Sequence, residues 1–140
     1  MGKISFFYEE TNFILPKTKN IKAWLKSIIL NDSFQLEQIN FIFCSDDYLH
    51  SLNLQYLEHD TYTDIITFDY SVEDALEGDI YISVDRVNEN AQALGVDFNE
   101  EIYRVMVHGI LHMMGFKDKS QEEKKQMRQK EDSCLSLLSI

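Results

Sequence analysis

Residues 98–118 read FNEEIYRVMVHGILHMMGFKD, a long apolar stretch followed by a glycine and a polar turn. Apolar side chains occur on most sides of this segment, which predicts a central, buried helix from Phe98 to Met114. Asp97 and Glu100 match a capping box at its start, and Gly115 marks its end. We therefore expect the domain to be built around this helix.

The second half of the segment, HGILHMMGFKD, has the spacing of a metal site. His108 and His112 are four positions apart, so their imidazoles lie one turn apart on the same helix face, where one ion can bind both. Gly115 can adopt a left-handed conformation that returns Asp118 toward them. This is the ligand spacing of metzincin-type zinc sites, with a carboxylate as the third ligand. The sequence therefore predicts one Zn²⁺ per chain, bound by His108, His112 and Asp118, on the central helix.

Three protein ligands leave a fourth position for a water, which is the predicted catalytic group. Zinc lowers the pKa of such a water from about 16 toward about 7, which favours a hydrolase. No protein base is assigned, because Gly109 stands where zinc peptidases carry a glutamate, and a metallopeptidase is the least favoured activity. The alternative is that His108 and His112 are buried core residues that bind only backbone groups.

Length and composition indicate one domain spanning residues 1–140. The chain has 140 residues, of which 44% are hydrophobic, and no apolar run long enough to span a membrane. No leader is recognised at the N-terminus, so we expect a cytoplasmic protein with no membrane partner. Cys44 and Cys134 lack metal-site spacing and are predicted to be reduced packing residues.

The net charge of −11 argues against a generic nucleic-acid binder, but the charges are unevenly distributed. Residues 41–101 contain fifteen acids and the single base Arg86, whereas residues 117–130 contain six bases and three acids. The basic segment either forms a phosphate-attracting rim beside the metal or is a solvated helix face. We favour the solvated face for residues 124–130, and we regard Lys117 and Lys119 as the better candidates for substrate contacts.

The remaining elements predict an α+β domain. A small mixed sheet of about four strands is expected to be covered by about five helices. The strands are predicted at 3–8, 39–44, 63–70 and 79–83, and the other helices at 20–30, 46–57, 84–94 and after a capping box at Ser120 and Glu123.

Three blocks of this chain resemble the YbeY family of bacterial endoribonucleases, which are rRNA maturation factors. HGILHMMGFKD is similar to the family's HGxLHLxGYDH, LNLQYLEHDTYTDIITF resembles LNxxYRxxDxPTDVLSF, and GDIYIS resembles GDIxIS. The blocks occur in the family's order, and the likeness spans most of the chain. The resemblance implies a zinc-bearing cleft in a sheet-and-helix fold, and metal-dependent cleavage of single-stranded RNA.

The sequence departs from this family at two important positions. Asp118 replaces the family's third histidine, which still gives a plausible zinc ligand set. Leu57 replaces an arginine, which removes a bidentate phosphate contact. Our hypothesis is that the missing positive charge is supplied either by His59 or by Lys117 and Lys119.

The upstream blocks hold further candidates for which two interpretations remain open. Thr67 either binds substrate or only stabilises its strand, whereas capping is favoured for Asn53 and Asp64. Asp79 either starts a strand or meets a ligand imidazole.

The first functional hypothesis is a zinc-dependent, single-strand-specific endoribonuclease in 16S rRNA 3′ end maturation, ribosome biogenesis and quality control. Its expected partners are rRNA or other single-stranded RNA and ribosomal particles or proteins, with the oligomeric state left open. The nucleophile is either the metal's water or the RNA 2′-hydroxyl. The alternative is a non-catalytic ribosome assembly factor with a mainly structural metal, which the acidic composition and Leu57 favour.

Overall fold

Four strands and five helices make up the part of the chain that the structure, a computed structural model, describes, residues 2–138. The predicted α+β class, with a small mixed sheet covered by helices, is confirmed. In chain order the elements are β1 (Lys3–Glu9), α1 (Thr18–Asn31), β2 (Gln35–Cys44), α2 (Asp46–Leu57), β3 (Ile65–Asp69), β4 (Ala75–Ser83), α3 (Val84–Leu94), α4 (Phe98–Met113) and α5 (Gln121–Ser136).

The sheet has the strand order β1-β2-β4-β3. β1 pairs in parallel with β2, and β2 pairs in parallel with β4, through connections that contain helices. β3 and β4 form an antiparallel hairpin, which places β3 at one edge of the sheet. Helix α4, which carries His108 and His112, contacts this hairpin.

Alternating side chains give the sheet two different faces. On one face Ile39, Phe41 and Phe43 are fully buried in the main core, which also includes residues of α1, α4 and α5. On the other face α2 covers a smaller cluster that includes Cys44 and Leu49. Both cysteines of the chain, Cys44 and Cys134, are buried and free, as predicted.

Helix α4 is the central helix, as its apolar pattern predicts. Ile102, Met106 and Ile110 are fully buried in the main core. At Gly109 the helix lies so close to the sheet that a Cβ atom would come within 3.0 Å of Ile65 Cδ1 and 3.1 Å of Ile80 Cδ1. The close approach holds the helix, and therefore the histidines on it, against the β3–β4 hairpin.

Some details differ from the sequence prediction. β2 begins at Gln35 rather than at residue 39, and β3 spans Ile65–Asp69 rather than residues 63–70. β4 begins at Ala75 rather than at residue 79, because Leu76 fills a fully buried core position and extends the strand. Asp97 caps α4 by accepting from the Asn99 N–H at 3.1 Å, so it does not bind the Glu100 N–H of the predicted capping box. Within residues 2–138 no helix is both long enough and apolar enough to cross a membrane.

Candidate metal centre

The end of α4 directs the chain back toward its own histidines. Gly115 has a φ of 102°, a region that favours glycine. The Phe116 N–H donates to the Leu111 carbonyl at 3.0 Å, and the Gly115 N–H donates to the His112 carbonyl at 3.0 Å. These two bonds form a Schellman motif, which satisfies the last carbonyls of the helix while it reverses the chain direction. The reversal brings Asp118 to the exposed side of the two imidazoles.

His108, His112 and Asp118 form a compact cluster of metal-ligand atoms. Asp118 Oδ2 lies 3.2 Å from His108 Nε2 and 3.3 Å from His112 Nε2, and all three ligand atoms lie within 4.8 Å of one another. Within residues 2–138 this is the only group of three or more such residues that could hold a metal. The structure therefore brings together the three residues predicted from the sequence.

Two of the three separations between ligand atoms fit a zinc ion. Zinc binds imidazole nitrogen and carboxylate oxygen at about 2.0–2.2 Å, and two ligands of a tetrahedral site are then about 3.3–3.5 Å apart. The two carboxylate-to-imidazole distances, 3.2 and 3.3 Å, are close to this separation. The donor set, two neutral imidazoles and one carboxylate, is also one that zinc accepts in catalytic sites.

A buried carboxylate from α5 orients the first histidine. Glu131, with only 4% of its surface exposed, lies with Oε2 at 2.6 Å from His108 Nδ1, and its Oε1 accepts from Arg104 Nη1 at 3.0 Å. Arg104 also donates to Asp132 at 2.7 Å. When His108 Nδ1 carries the proton and donates to Glu131, the Nε2 lone pair is free to point at the metal position. Glu131 was not identified from the sequence.

The ionisation of His108 reflects the same contacts. Burial alone lowers the pKa of His108, but the hydrogen bond and charge of Glu131, together with Asp118, raise it above its ordinary value. Because zinc binds the neutral imidazole, protons compete with the metal at this position.

Two depressions meet at His108 and Asp118. A cleft of about 450 Å³ lies on the β3 side and is lined by Thr63, Asp64, Thr67, His108, His112 and Asp118, among others. A cavity of about 310 Å³ lies between α4 and α5, and His108 and Asp118 also line it. The candidate metal position is therefore accessible from both sides.

The predicted substrate residues are not all near this centre. Thr67 lines the cleft on the β3 side. Lys117 lines a separate depression with Gly115 and Phe116, and Lys119 is exposed in the turn before α5. His59 is exposed in the loop after α2, and Leu57 is exposed at the end of that helix. Of these residues, only Thr67 lines either of the two depressions.

The α4–α5 cavity is lined by Asp64, for which capping was favoured, and by Glu101, Lys124 and Arg128, which were not proposed as substrate contacts. Burial raises the pKa of the carboxyl groups of Asp64 and Glu101. The sequence favours a solvated helix face for residues 124–130, but in the structure Lys124 and Arg128 line the cavity. Their i, i+4 spacing was the available signal that they share one helix face.

The structure also decides the roles of two upstream residues. The Asn53 side-chain amide donates to the Thr61 carbonyl at 2.9 Å and holds the loop after α2, which is a structural role. Asp79 neither starts β4 nor meets an imidazole, because its Oδ1 accepts from Asn40 Nδ2 at 3.0 Å. Its neighbour Gly78 lies against Met113 of α4, so Asp79 points to the opposite face of the sheet.

Comparison with known proteins identifies the family. The sequence model of the family described as Endoribonuclease YbeY matches residues 7–139. A relative named Endoribonuclease YbeY from Christiangramia forsetii is 47% identical over 99% of this chain and 96% of its own length. Another of the same name, from Flavobacterium psychrophilum, is 50% identical over 98% of this chain and 97% of its own.

A solved structure has the same fold. The solution structure of TM1509 from Thermotoga maritima matches with a TM-score of 0.65 and 28% sequence identity, and the match covers 94% of this chain and 89% of that one. Together with the match of the family model over nearly the whole sequence, these similarities show that the chain belongs to the YbeY endoribonuclease family.

Proposed function

We propose that this protein is a zinc-dependent, single-strand-specific endoribonuclease that acts in 16S rRNA 3′ end maturation, ribosome biogenesis and quality control in the cytoplasm. Residues 1–140 would form its single hydrolase domain, and ribosomal particles or ribosomal proteins would be its partners. The observation that carries the proposal is the convergence of His108, His112 and Asp118 at an accessible cleft, in a chain that belongs to an endoribonuclease family.

The three ligands would hold one zinc ion and leave its remaining position open. When bound, zinc can polarise a phosphoryl oxygen and lower the pKa of a water to about 7. A mainly structural zinc would be expected to have four protein ligands, whereas three come together here. The ligand number therefore supports a catalytic role.

Residues of the chain would orient the metal ligands and bind the RNA. Glu131 holds the His108 ring in one orientation, and the Schellman motif at Gly115 fixes the approach of Asp118. On the β3 side, the Thr67 hydroxyl can donate a hydrogen bond to an RNA phosphate or ribose in the cleft. The nucleophile is either a water or the 2′-hydroxyl of the RNA, and the product ends distinguish the two: a 2′,3′-cyclic phosphate requires the 2′-hydroxyl.

Metal content and RNA cleavage test the proposal. We expect about one zinc per chain by elemental mass spectrometry of untagged protein purified without chelator. Zinc-loaded protein should cleave a single-stranded oligoribonucleotide faster than a duplex of the same sequence. His112→Ala and Asp118→Ala should lose zinc and cleavage, whereas Glu122→Ala, an exposed α5 position away from both depressions, should keep both. Failure of the wild-type chain to bind added zinc would overturn the metal assignment.

A non-catalytic assembly factor is the second candidate. It is favoured by the exposed Leu57 at the end of α2, where the family resemblance expects an arginine, and by the net charge of −11, which suits a basic ribosomal protein. Binding to ribosomal particles that persists in the His108→Ala and His112→Ala variants, with no cleavage by zinc-loaded wild type, would establish it instead.

A further inference from the structure

The cavity between α4 and α5 has a polar lining beyond the metal ligands. His108 and Asp118 form its edge next to the metal position. Lys124 and Arg128 are exposed and four positions apart, so they lie at the rim on one face of α5. Glu101, with only 8% of its surface exposed, lies at the floor. The volume, about 310 Å³, is at the lower end of the range of small-ligand pockets, about 300–1,000 Å³.

Two of the cations in this cavity are available to a ligand. Arg104 is already committed to Glu131 and Asp132, at 3.0 and 2.7 Å. Among the residues that the structure describes, no carboxylate lies within 4.0 Å of the Lys124 ammonium group. The side chain of Arg128 is 58% exposed, and its distance to the Glu131 carboxylate is 3.9 Å. Positive charge therefore remains at the rim, within the same cavity as two metal ligands.

The floor offers hydrogen-bond acceptors without donors. Although only 8% of the Glu101 surface is exposed, its carboxylate accepts no hydrogen bond from residues 2–138, and its oxygens remain open to solvent. They are therefore accessible to a donor group of a ligand in the cavity. The Glu131 carboxylate, in contrast, is paired with His108 and Arg104. An N–H or O–H group of a bound ligand would complete the pairing of Glu101.

We propose that this cavity binds one nucleotide of the RNA strand next to the cleaved phosphate. Lys124 and Arg128 bind the phosphate of that nucleotide at the rim, and Glu101 accepts a hydrogen bond from its base or ribose at the floor. The strand runs from the Thr67 side of the cleft, across His108 and Asp118, into the cavity. This assignment rests on the proposed nuclease function. In it, residues of α5 bind the phosphate, whereas the sequence suggested His59, or Lys117 and Lys119, for this contact.

Matched variants on one helix test the rim. We expect Lys124→Gln and Arg128→Gln each to raise KM for a single-stranded oligoribonucleotide about tenfold, as loss of a charged hydrogen bond does. The slope of log(kcat/KM) against log salt should become shallower by about 0.7 for each lost phosphate contact. kcat and zinc content should stay at wild-type values. Lys125→Gln removes the same charge one residue away from the cavity lining and should leave KM unchanged.

Glu101→Gln tests the floor, because an amide has one acceptor oxygen where the carboxylate has two. We expect KM to rise several-fold with unchanged zinc content, measured on oligomers of each of the four bases. A rise limited to bases with amino groups assigns the contact to the base, and a uniform rise assigns it to the ribose. An unchanged KM on all four oligomers would show that Glu101 does not bind the nucleotide.

The failures of the two proposals are distinguishable. If zinc-loaded wild type neither cleaves nor binds single-stranded RNA, the proposed function fails and the subsite fails with it. If wild type cleaves RNA but Lys124→Gln and Arg128→Gln behave like Lys125→Gln in KM and in salt slope, only the subsite is wrong. Far-UV circular dichroism verifies folding, which these exposed positions should not disturb.

Discussion

Replacing Glu131 with glutamine is expected to weaken zinc binding without removing a zinc ligand. The carboxylate uses one oxygen for His108 Nδ1, at 2.6 Å, and the other for Arg104 Nη1, at 3.0 Å. The amide of glutamine has a single oxygen for these two donors, so one of them faces an N–H group instead. The His108 ring then loses the partner that fixes its orientation.

The size of the effect follows from the position of Glu131. Removing a partner that hydrogen-bonds to a metal-binding histidine typically costs 10- to 100-fold in metal affinity, which is about 1.4–2.8 kcal/mol. Because Glu131 is only 4% exposed, water cannot easily replace it, and we expect the upper half of this range.

Competition with a chelator of known zinc affinity measures the change. Measuring both proteins over the same series of pH values separates proton competition at His108, whose pKa is raised, from the loss of ring orientation. Asp132→Asn is the matched control, because Asp132 also binds Arg104, at 2.7 Å, but contacts neither histidine. A zinc Kd for Glu131→Gln within twofold of the wild-type value would refute the orienting role.

Three further predictions concern the surroundings of the centre. Gly115→Ala should lower the free energy of unfolding by about 1–2 kcal/mol in urea titration, because the φ of 102° disfavours a side chain, although no atom obstructs the added Cβ. Gly109→Ala should cost about 1–3 kcal/mol in the same assay, because its Cβ would press on Ile65 and Ile80; a neutral result would contradict the close packing of α4 on the hairpin. For Glu101, burial raises the carboxyl pKa above 4.5, so the folded state binds more protons than the unfolded state. Wild-type stability relative to Glu101→Gln should therefore fall as pH rises from about 4.5 through the raised pKa and then level off; equal pH dependence of the two metal-free proteins would contradict it.

The sequence predicted the parts of the centre that depend on local geometry. The spacing of His108 and His112 fixes their common helix face, and the Gly115 reversal that returns Asp118 depends only on neighbouring residues. The predicted bounds of α3, Val84 and Leu94, are also confirmed, and Gly95 after the helix was the local signal for its end.

The sequence did not predict the residues that reach the centre through tertiary packing. Glu131, Lys124 and Arg128 come to the cavity because α5 packs on α4, with Met127 buried between charged neighbours. A long-range hydrogen bond from Trp24 Nε1 of α1 to the Cys134 carbonyl, at 2.8 Å, also holds α5 in place. No local pattern distinguishes these charged residues from an ordinary solvated helix face. Lys117 and Lys119 were favoured because they flank Asp118 in sequence. They line neither depression at the centre, and their contact with substrate stays a prediction.

Asp118 lies in the turn between two well-capped helices, with the Schellman motif before it and the Ser120–Glu123 capping box after it. A zinc ion held by Asp118 and by both histidines of α4 would therefore act as a cross-link between the end of one helix and the start of the next. By mass action, free zinc at 100 times its Kd would add about 2.7 kcal/mol to the stability of the fold. The resistance of this protein to proteolysis, and hence its abundance, would then follow the zinc supply of the cell.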